Sequence, residues 1–192
     1  MTLDIHSGIS AVVLPRDDLE STVLDLAVVL EGLCADRFEL IVVSHDAALD
    51  DLRARAPRLP LRTVDGDSIV DGCESARYEL ILVASDDGQF DVRELNHLME
   101  AIEAGATVAA GYRPRRMDGL KRQFQRWGWK VDVDCAFVLL RRQVWQAVAA
   151  TPDKAWCCAT LLSAVRRLGY RVDEVPVSHK RPTIGLPTAH AA

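Results

Sequence analysis

The residues best suited to chemistry follow an apolar run at positions 80–84. Asp86, Asp87 and Gln89 come after this run, with a glycine between the last two. In open α/β sheets, ligands bind beyond the carboxyl ends of the strands, so side chains at such a position meet a ligand or a metal ion. Carboxylate and amide oxygens are hard donors that suit Mg²⁺ or Mn²⁺. We therefore predict that these three residues bind a divalent cation; the alternative is a solvated turn in which Asp91 only caps the next helix.

A second group of candidates is basic. Seven arginines and lysines and a single acid occupy positions 113–130, and apolar residues recur in this segment at helical spacing. Three interpretations remain open. The segment is a lid that contacts a lipid phosphate at a membrane surface, a flap whose arginines bind phosphate, or a surface helix packed on the core through its apolar side. The net charge of −5 disfavours peripheral membrane contact.

Strand and helix patterns alternate along the chain. Strands are predicted at residues 9–14, 38–43, 59–63, 79–84, 107–110, 135–140 and 171–177. Two helices have predicted caps: one runs from Asp17 or Asp18 to about Leu30, with Gly32 as its C-terminal cap, and the other runs from an Asp91 cap, with Glu94 in a capping box, to Gly105. Four more helices are predicted at residues 47–56, 67–77, 143–150 and 160–168. This alternation predicts an α/β fold with a mostly parallel central sheet flanked by helices.

Composition narrows the class of protein. A chain of 192 residues with 49% hydrophobic content suits one domain with a full core, spanning residues 1–192. No signal peptide is evident, and no apolar run is long enough to span a bilayer. Five cysteines without a C-x-x-C pair favour buried, reduced thiols and a cytoplasmic location. No nucleic-acid-binding motif is present.

Several motifs carry a resemblance to a known family. The segment 85–91 reads S-D-D-G-Q-F-D and resembles the D-A-D-G-Q-F-D signature of family 2 glycosyltransferases, in the dolichyl- or polyprenyl-phosphate sugar synthase branch. Similar matches occur at 111–113, 132–137 and 168–177, and the likeness spans nearly the whole chain. The resemblance implies a single GT-A domain that transfers sugar from a nucleotide-diphosphate sugar to a phosphate-bearing or small-molecule acceptor with a divalent cation.

The resemblance also implies roles for individual residues. Phosphate contacts fall to Arg113 with Arg122 or Arg126, and a catalytic base to Asp132 or Asp134. Substrate positions are implied at Pro15, Asp18, Ser44, Asp46, His179 and Arg181. From the residues alone, His179 and Arg181 fit an anionic acceptor or a flexible basic tail, and Asp46 also fits a turn without a catalytic role.

The chain departs from the family pattern at positions where acids are expected. Ser44 and Ser85 replace two of these acids, and positions 157–160 contain none. The stretch 65–67 carries two aspartates where a lysine or arginine is usual near the phosphates. We therefore predict weaker metal and nucleotide binding than in an intact family member. Two other functions stay open: a degenerate GT-A domain that binds a ligand or a protein, and a GT-A fold that runs a different reaction, such as pyrophosphate chemistry on a nucleotide.

Overall fold

The computed structural model describes residues 8–15, 19–44, 49–85, 90–112, 137–151 and 158–178. Seven strands lie within these ranges: β1 (Ile9–Leu14), β2 (Phe38–Val43), β3 (Leu61–Val64), β4 (Leu80–Ser85), β5 (Val108–Tyr112), β6 (Phe137–Arg141) and β7 (Val172–Pro176). The same ranges hold six α-helices: α1 (Leu19–Cys34), α2 (Asp50–Arg55), α3 (Ile69–Ser75), α4 (Leu95–Glu103), α5 (Arg142–Ala149) and α6 (Cys158–Arg167).

The strands form one sheet with the order β3-β2-β1-β4-β6-β5-β7. Every neighbouring pair is parallel except those made by β6, which runs antiparallel to both β4 and β5. The chain leaves β1 toward β2 and β3 on one side and returns to β4 on the other. The crevice between β1 and β4 is therefore the point at which the strand order reverses, which is where open α/β sheets bind ligands.

Helices pack on both faces of the sheet and explain why the central strands are mostly apolar. All six residues of β2 are buried, as expected of a parallel strand covered on both sides. Helices α1, α2 and α4 cover one face, and α3, α5 and α6 cover the other. The predicted α/β architecture is confirmed, and the bounds of β1 and β2 match the prediction residue for residue. Among the described residues, no helix is both long and apolar enough to cross a membrane.

A buried polar network joins the first strands to the start of β4. Glu39, on β2, is 5% exposed and accepts hydrogen bonds from the Ser10 hydroxyl at 2.7 Å, the Arg62 Nε at 2.8 Å and the Arg77 backbone at 2.8 Å. Ser10 also accepts from the backbone N–H groups of Arg77 and Tyr78. Burial raises the pKa of Glu39, but these hydrogen bonds outweigh it and hold the pKa below its ordinary value. The network fixes the segment that enters β4.

Two predicted helix ends are wrong. Helix α1 continues past Gly32 to Cys34, and a Cβ at Gly32 would meet nothing within 4 Å; Ala35 takes the positive φ of 53° instead. Glu94 does not form a capping box with Asp91, because its carboxylate accepts from the backbone N–H of Ser178 at 2.5 Å. Asp91 caps a short 3₁₀ turn through the Arg93 N–H, as a cap rather than a ligand.

Candidate functional site

The carboxyl edge of the sheet is where the candidate segments begin and end. Strands β1, β2, β4, β5 and β7 all end at this edge, and the antiparallel β6 begins there. The described chain stops or resumes here at Pro15, Ser44, Ser85, Tyr112, Phe137 and Ser178. Every candidate residue named from the sequence is one of these positions or belongs to a segment that follows or precedes one of them in the chain. The topology thus brings the attachment points of all the candidates to one edge.

Only two of the predicted site residues lie within the described part of the chain. Pro15 and Ser44 are both half-buried and follow β1 and β2 directly. Twelve others lie outside the described residues, namely Asp18, Asp46, Asp86, Asp87, Gln89, Arg113, Arg122, Arg126, Asp132, Asp134, His179 and Arg181. The distances among these twelve, including the predicted approach of Asp87 to Gln89 and Arg113, remain predictions.

Pro15 and Ser44 mark the ends of two adjacent strands. The Ser44 backbone N–H still donates to the carbonyl of Val64 at 3.0 Å, so β2 stays paired to β3 up to this residue. Pro15 has no N–H to continue the ladder and therefore ends β1. Neighbouring strands lie about 4.8 Å apart. Ser44, Pro15 and Ser85 thus lie at the ends of three successive strands.

The acidic turn is anchored on both sides at the switch point. Ser85, its first neighbour, pairs with Leu14 of β1. Phe90, the residue that follows this segment, is 7% exposed and stacks on Phe137, with the ring centroids 5.7 Å apart and the ring planes at 5°. Phe137 itself opposes Ala84 across the β4–β6 pair. The segment 86–89 therefore begins at Ser85, beside β1, and ends at Phe90, which is held against the start of β6.

The stacked aromatic pair was not identified from the sequence as part of the site. The sequence does contain a sign of this pair, since an aromatic residue, Phe90, directly follows the D-D-G-Q run. Close packing around it also accounts for Gly111 in β5. A Cβ at Gly111 would lie 3.1 Å from Val177 and 3.2 Å from the Phe137 ring. A larger residue there would press on the ring that supports the turn.

Glu94 is a second residue whose position near the site could not be recognised beforehand. Its bond to the Ser178 N–H joins residues 84 positions apart. Ser178 is the last described residue before His179, so Glu94 fixes the point from which the predicted acceptor-binding tail departs. A glutamate at this spacing after Asp91 reads equally well as a helix cap, so the sequence holds no distinguishing signal.

The outer corner of the same edge is negatively charged. The connection from β3 to α3 carries Asp65 and Asp67, the first turn of α3 adds Asp71, and no basic residue lies among them. The Ser68 hydroxyl donates to Asp71 at 2.8 Å and, with backbone N–H groups, lowers the pKa of that carboxyl despite the opposing effect of burial. A diphosphate bound at this edge would therefore need its positive partners from another segment or from a metal ion.

No metal-binding cluster occurs elsewhere in the described residues. Among them, no three His, Cys, Asp or Glu side chains lie together in an arrangement that could hold an ion. Burial raises the pKa of the Cys34 thiol to about 11, which favours the protonated thiol over the reactive thiolate. The predicted cation ligands Asp86, Asp87 and Gln89 lie outside the described residues, so their role stays a prediction.

Comparison with known proteins finds similarity in sequence and in structure. No protein-family model matches the sequence. Glycosyltransferase AglD of Haloferax volcanii is 28% identical over 190 residues, which cover 83% of this chain and 30% of AglD. The chain therefore spans less than a third of the length of that relative.

Solved structures match over nearly the whole chain. Glucosyl-3-phosphoglycerate synthase from Mycobacterium tuberculosis aligns with a TM-score of 0.64 and 13% identity, covering 94% of this chain and 74% of the synthase. That enzyme has been crystallised with Mn²⁺, uridine-diphosphate-glucose and glycerol 3-phosphate. The 4-diphosphocytidyl-2C-methyl-D-erythritol synthase of Anaerococcus prevotii aligns with a TM-score of 0.59 and 12% identity, covering 96% and 92% of the two chains. The chain has a glycosyltransferase-like GT-A fold, and the resemblance seen in the sequence is confirmed at that level.

Proposed function

We propose that this chain, acting as one domain over residues 1–192, binds a nucleotide-activated sugar and a divalent cation at the carboxyl edge of β1 and β4. It transfers the sugar to a phosphate-bearing or small-molecule acceptor. The observation that carries the proposal is the anchored acidic turn at the switch point, held by the Leu14–Ser85 pairing and the Phe90–Phe137 stack. The M. tuberculosis synthase, which shares the fold, supports it through its Mn²⁺, UDP-glucose and glycerol 3-phosphate complex.

The transfer makes and breaks one bond at the sugar. An acceptor oxygen bonds to the anomeric carbon while the bond from that carbon to the diphosphate oxygen breaks, and the electron pair leaves with the diphosphate. The acceptor proton passes to a carboxylate, for which Asp132 and Asp134 are the candidates. Both precede Phe137, the first residue of β6 at the carboxyl edge. A general base must come within hydrogen-bond reach of the proton it removes, and this entry point is compatible with that requirement.

Positive charge stabilises the leaving diphosphate. A cation held by Asp86, Asp87 and Gln89 would supply part of that charge. Arg113 directly follows Tyr112 at the end of β5, and it supplies a guanidinium for the phosphate oxygens. Arg122 or Arg126 provides the second. The acidic corner at 65–71 makes these arginines necessary, because the β3–α3 connection contributes no cation.

Binding without transfer is the second candidate function. Ser85 stands where a metal-binding acid is expected, and Ser44 where an acceptor for the base or ribose is expected. Each loss removes one charged partner and weakens the site without changing the fold. Such a chain would hold a nucleotide, a lipid phosphate or a protein at the same edge and turn over no sugar.

The deciding experiment measures ligand binding and turnover on the same protein. Thermal shift and calorimetry with UDP- and GDP-sugars are run with and without Mn²⁺, since a ligand that binds only the folded state raises its melting temperature. We expect Mn²⁺-dependent stabilisation that Asp87→Asn abolishes and that Asp67→Asn, an exposed acid at the outer corner, leaves intact.

Three outcomes separate the functions. Release of nucleoside diphosphate with a phosphate-bearing acceptor supports the transferase. Mn²⁺-dependent binding without product supports the binding module. Release of pyrophosphate from a nucleoside triphosphate would replace both with the different reaction noted above. No stabilisation by any nucleotide, with or without metal, would refute the proposed site.

A further inference from the structure

A groove lies at the amino edge of the sheet, on the side of the molecule opposite the candidate site. It has a volume of about 780 Å³. One wall is the end of α1 and the turn after it, and the other is the segment that joins α2 to β3. Phe38, the first residue of β2, contributes to the lining together with Ala27 and Leu59. The groove therefore has an apolar floor and lies away from the crevice between β1 and β4.

The exposed face of α1 extends this apolar surface. Leu24 is 40% exposed and Val28 is 71% exposed. Positions 24, 28 and 31 share one face of the helix, because residues three and four apart are neighbours. Glu31 lines the groove, so Leu24 and Val28 lie on the helix turns next to it. Large apolar side chains exposed beside a groove mark an interaction surface more often than singly scattered ones do.

The two walls of the groove carry opposite charges. Glu31 and Asp36 lie on the α1 wall, and Arg55 and Arg58 lie on the other. Arg55 reaches Glu20 of α1 at 2.8 Å. Glu31, Asp36 and Arg58 form no ion pair with one another in the described part of the chain. The groove thus presents unpaired acid on one wall and an unpaired arginine on the other.

We propose that this groove and the adjacent face of α1, comprising Leu24, Val28, Glu31, Asp36 and Arg58, bind a second copy of the chain. A two-fold axis brings the same patch of both copies together, so the patch must complement itself. Here the axis sets the acidic wall of one copy against Arg58 of the other, twice, around an apolar centre. A partner of one charge would match only one wall. Because the interface uses the amino edge, the carboxyl edge of both copies stays open to ligands.

The first test is the mass of the full-length protein in solution. In analytical ultracentrifugation, we expect the weight-average mass to rise toward twice the monomer value as the concentration passes through the micromolar range, as for a weak interface of modest area. Val28→Glu should weaken the association by about tenfold or more, because it places a charge in the apolar centre. Leu168→Glu is the matched control: Leu168 is 43% exposed, but it follows α6 and lies outside the patch.

The second test addresses the reciprocal charge pairing. Glu31→Arg and Arg58→Glu should each weaken self-association, and the double variant should restore it to within a few-fold of wild type. Circular dichroism and melting temperature confirm that each variant is folded. A wild-type chain that stays monomeric at all concentrations overturns the proposal. So does Val28→Glu with unchanged association, or a double variant as weak as the weaker single one.

Discussion

Replacing Glu39 with glutamine should destabilise the protein far more than its chemical similarity suggests. The Ser10 hydroxyl has one donor and two acceptor sites. It uses all three, donating to Glu39 and accepting from the backbone of Arg77 and Tyr78. A glutamine amide group must then face either Arg62 or the pair of Ser10 and Arg77. In both orientations one N–H group points at another, and no acceptor remains for it.

The magnitude follows from burial and charge. Removing one partner of a buried ion pair costs about 3–5 kcal/mol, because the remaining charge is left unpaired. The side chain of Arg62 is 26% exposed, so water compensates part of the loss. We expect a loss of about 3 kcal/mol in the free energy of unfolding, near the lower end of that range. For a domain of this size, that loss lowers the melting temperature by roughly 6–12 °C.

Urea denaturation followed by circular dichroism measures this difference. Glu103→Gln, an exposed glutamate at the end of α4, is the matched control and should change stability by less than about 0.5 kcal/mol. If Glu39→Gln falls within the range of that control, the network contributes nothing and the reasoning is refuted. A normal loss with an unchanged m-value would show that only the native state is affected.

Three further outcomes are expected. The pKa of Glu39 is lower in the folded state than in the unfolded state, so the ionised Glu39 stabilises the fold above its ordinary pKa of about 4.5, and this stabilisation is lost as the pH falls below that value. The urea midpoint should therefore fall more between pH 6 and pH 3 for wild type than for Glu39→Gln. Parallel curves for the two proteins would contradict this. Gly72→Ala places a Cβ 2.3 Å from Val12 and should cost about 1–3 kcal/mol by overpacking. The control Gly32→Ala has free space and should gain up to about 1 kcal/mol in helix propensity, and equal effects of the two changes in urea denaturation would be inconsistent with the packing. Ser85→Asp should lower the Mn²⁺ dissociation constant by about tenfold in calorimetry by returning a carboxylate to the segment that follows β4. For the binding module, the second candidate function, it should not create sugar transfer; unchanged affinity would remove Ser85 from the metal site.

The central strands could be predicted from the sequence because their apolar residue pattern reflects their burial. β1 and β2 are covered on both faces, so each appears as a mostly apolar run, interrupted only by Ser10 and Glu39, whose limits coincide with the observed ones. The end of α1 could not be predicted from the residue pattern in the same way. Glycine often ends a helix but does not force an end. Gly32 has no neighbour to favour a turn, and Ala35 adopts the positive φ instead.

Non-local contacts account for the rest of the difference. The antiparallel direction of β6 depends on its pairing with β4, more than fifty residues earlier in the chain. The acceptor for Ser178 is a glutamate 84 residues away. Neither relation leaves a local pattern. The sheet edge from which the candidate segments depart could be predicted, since it follows from the order of strands and polar segments in the sequence; the site itself stays a prediction. The arrangement of its side chains depends on connections whose conformation local propensity does not determine.

The reversed direction of β6 has a consequence for how this protein can diversify. Tyr112 ends β5 and Phe137 begins β6, and these two strands are antiparallel neighbours paired through Ala110 and Val138. In architectural terms they form a hairpin, and a hairpin of this kind can be closed by as few as two to five residues. The 24 residues at 113–136 are therefore surplus to the connection that the sheet requires. The length and sequence of this segment can change, or the segment can be exchanged for one from another protein, without shifting the register of any strand. Selection for a new substrate can therefore act on this segment while the folding core is left unchanged.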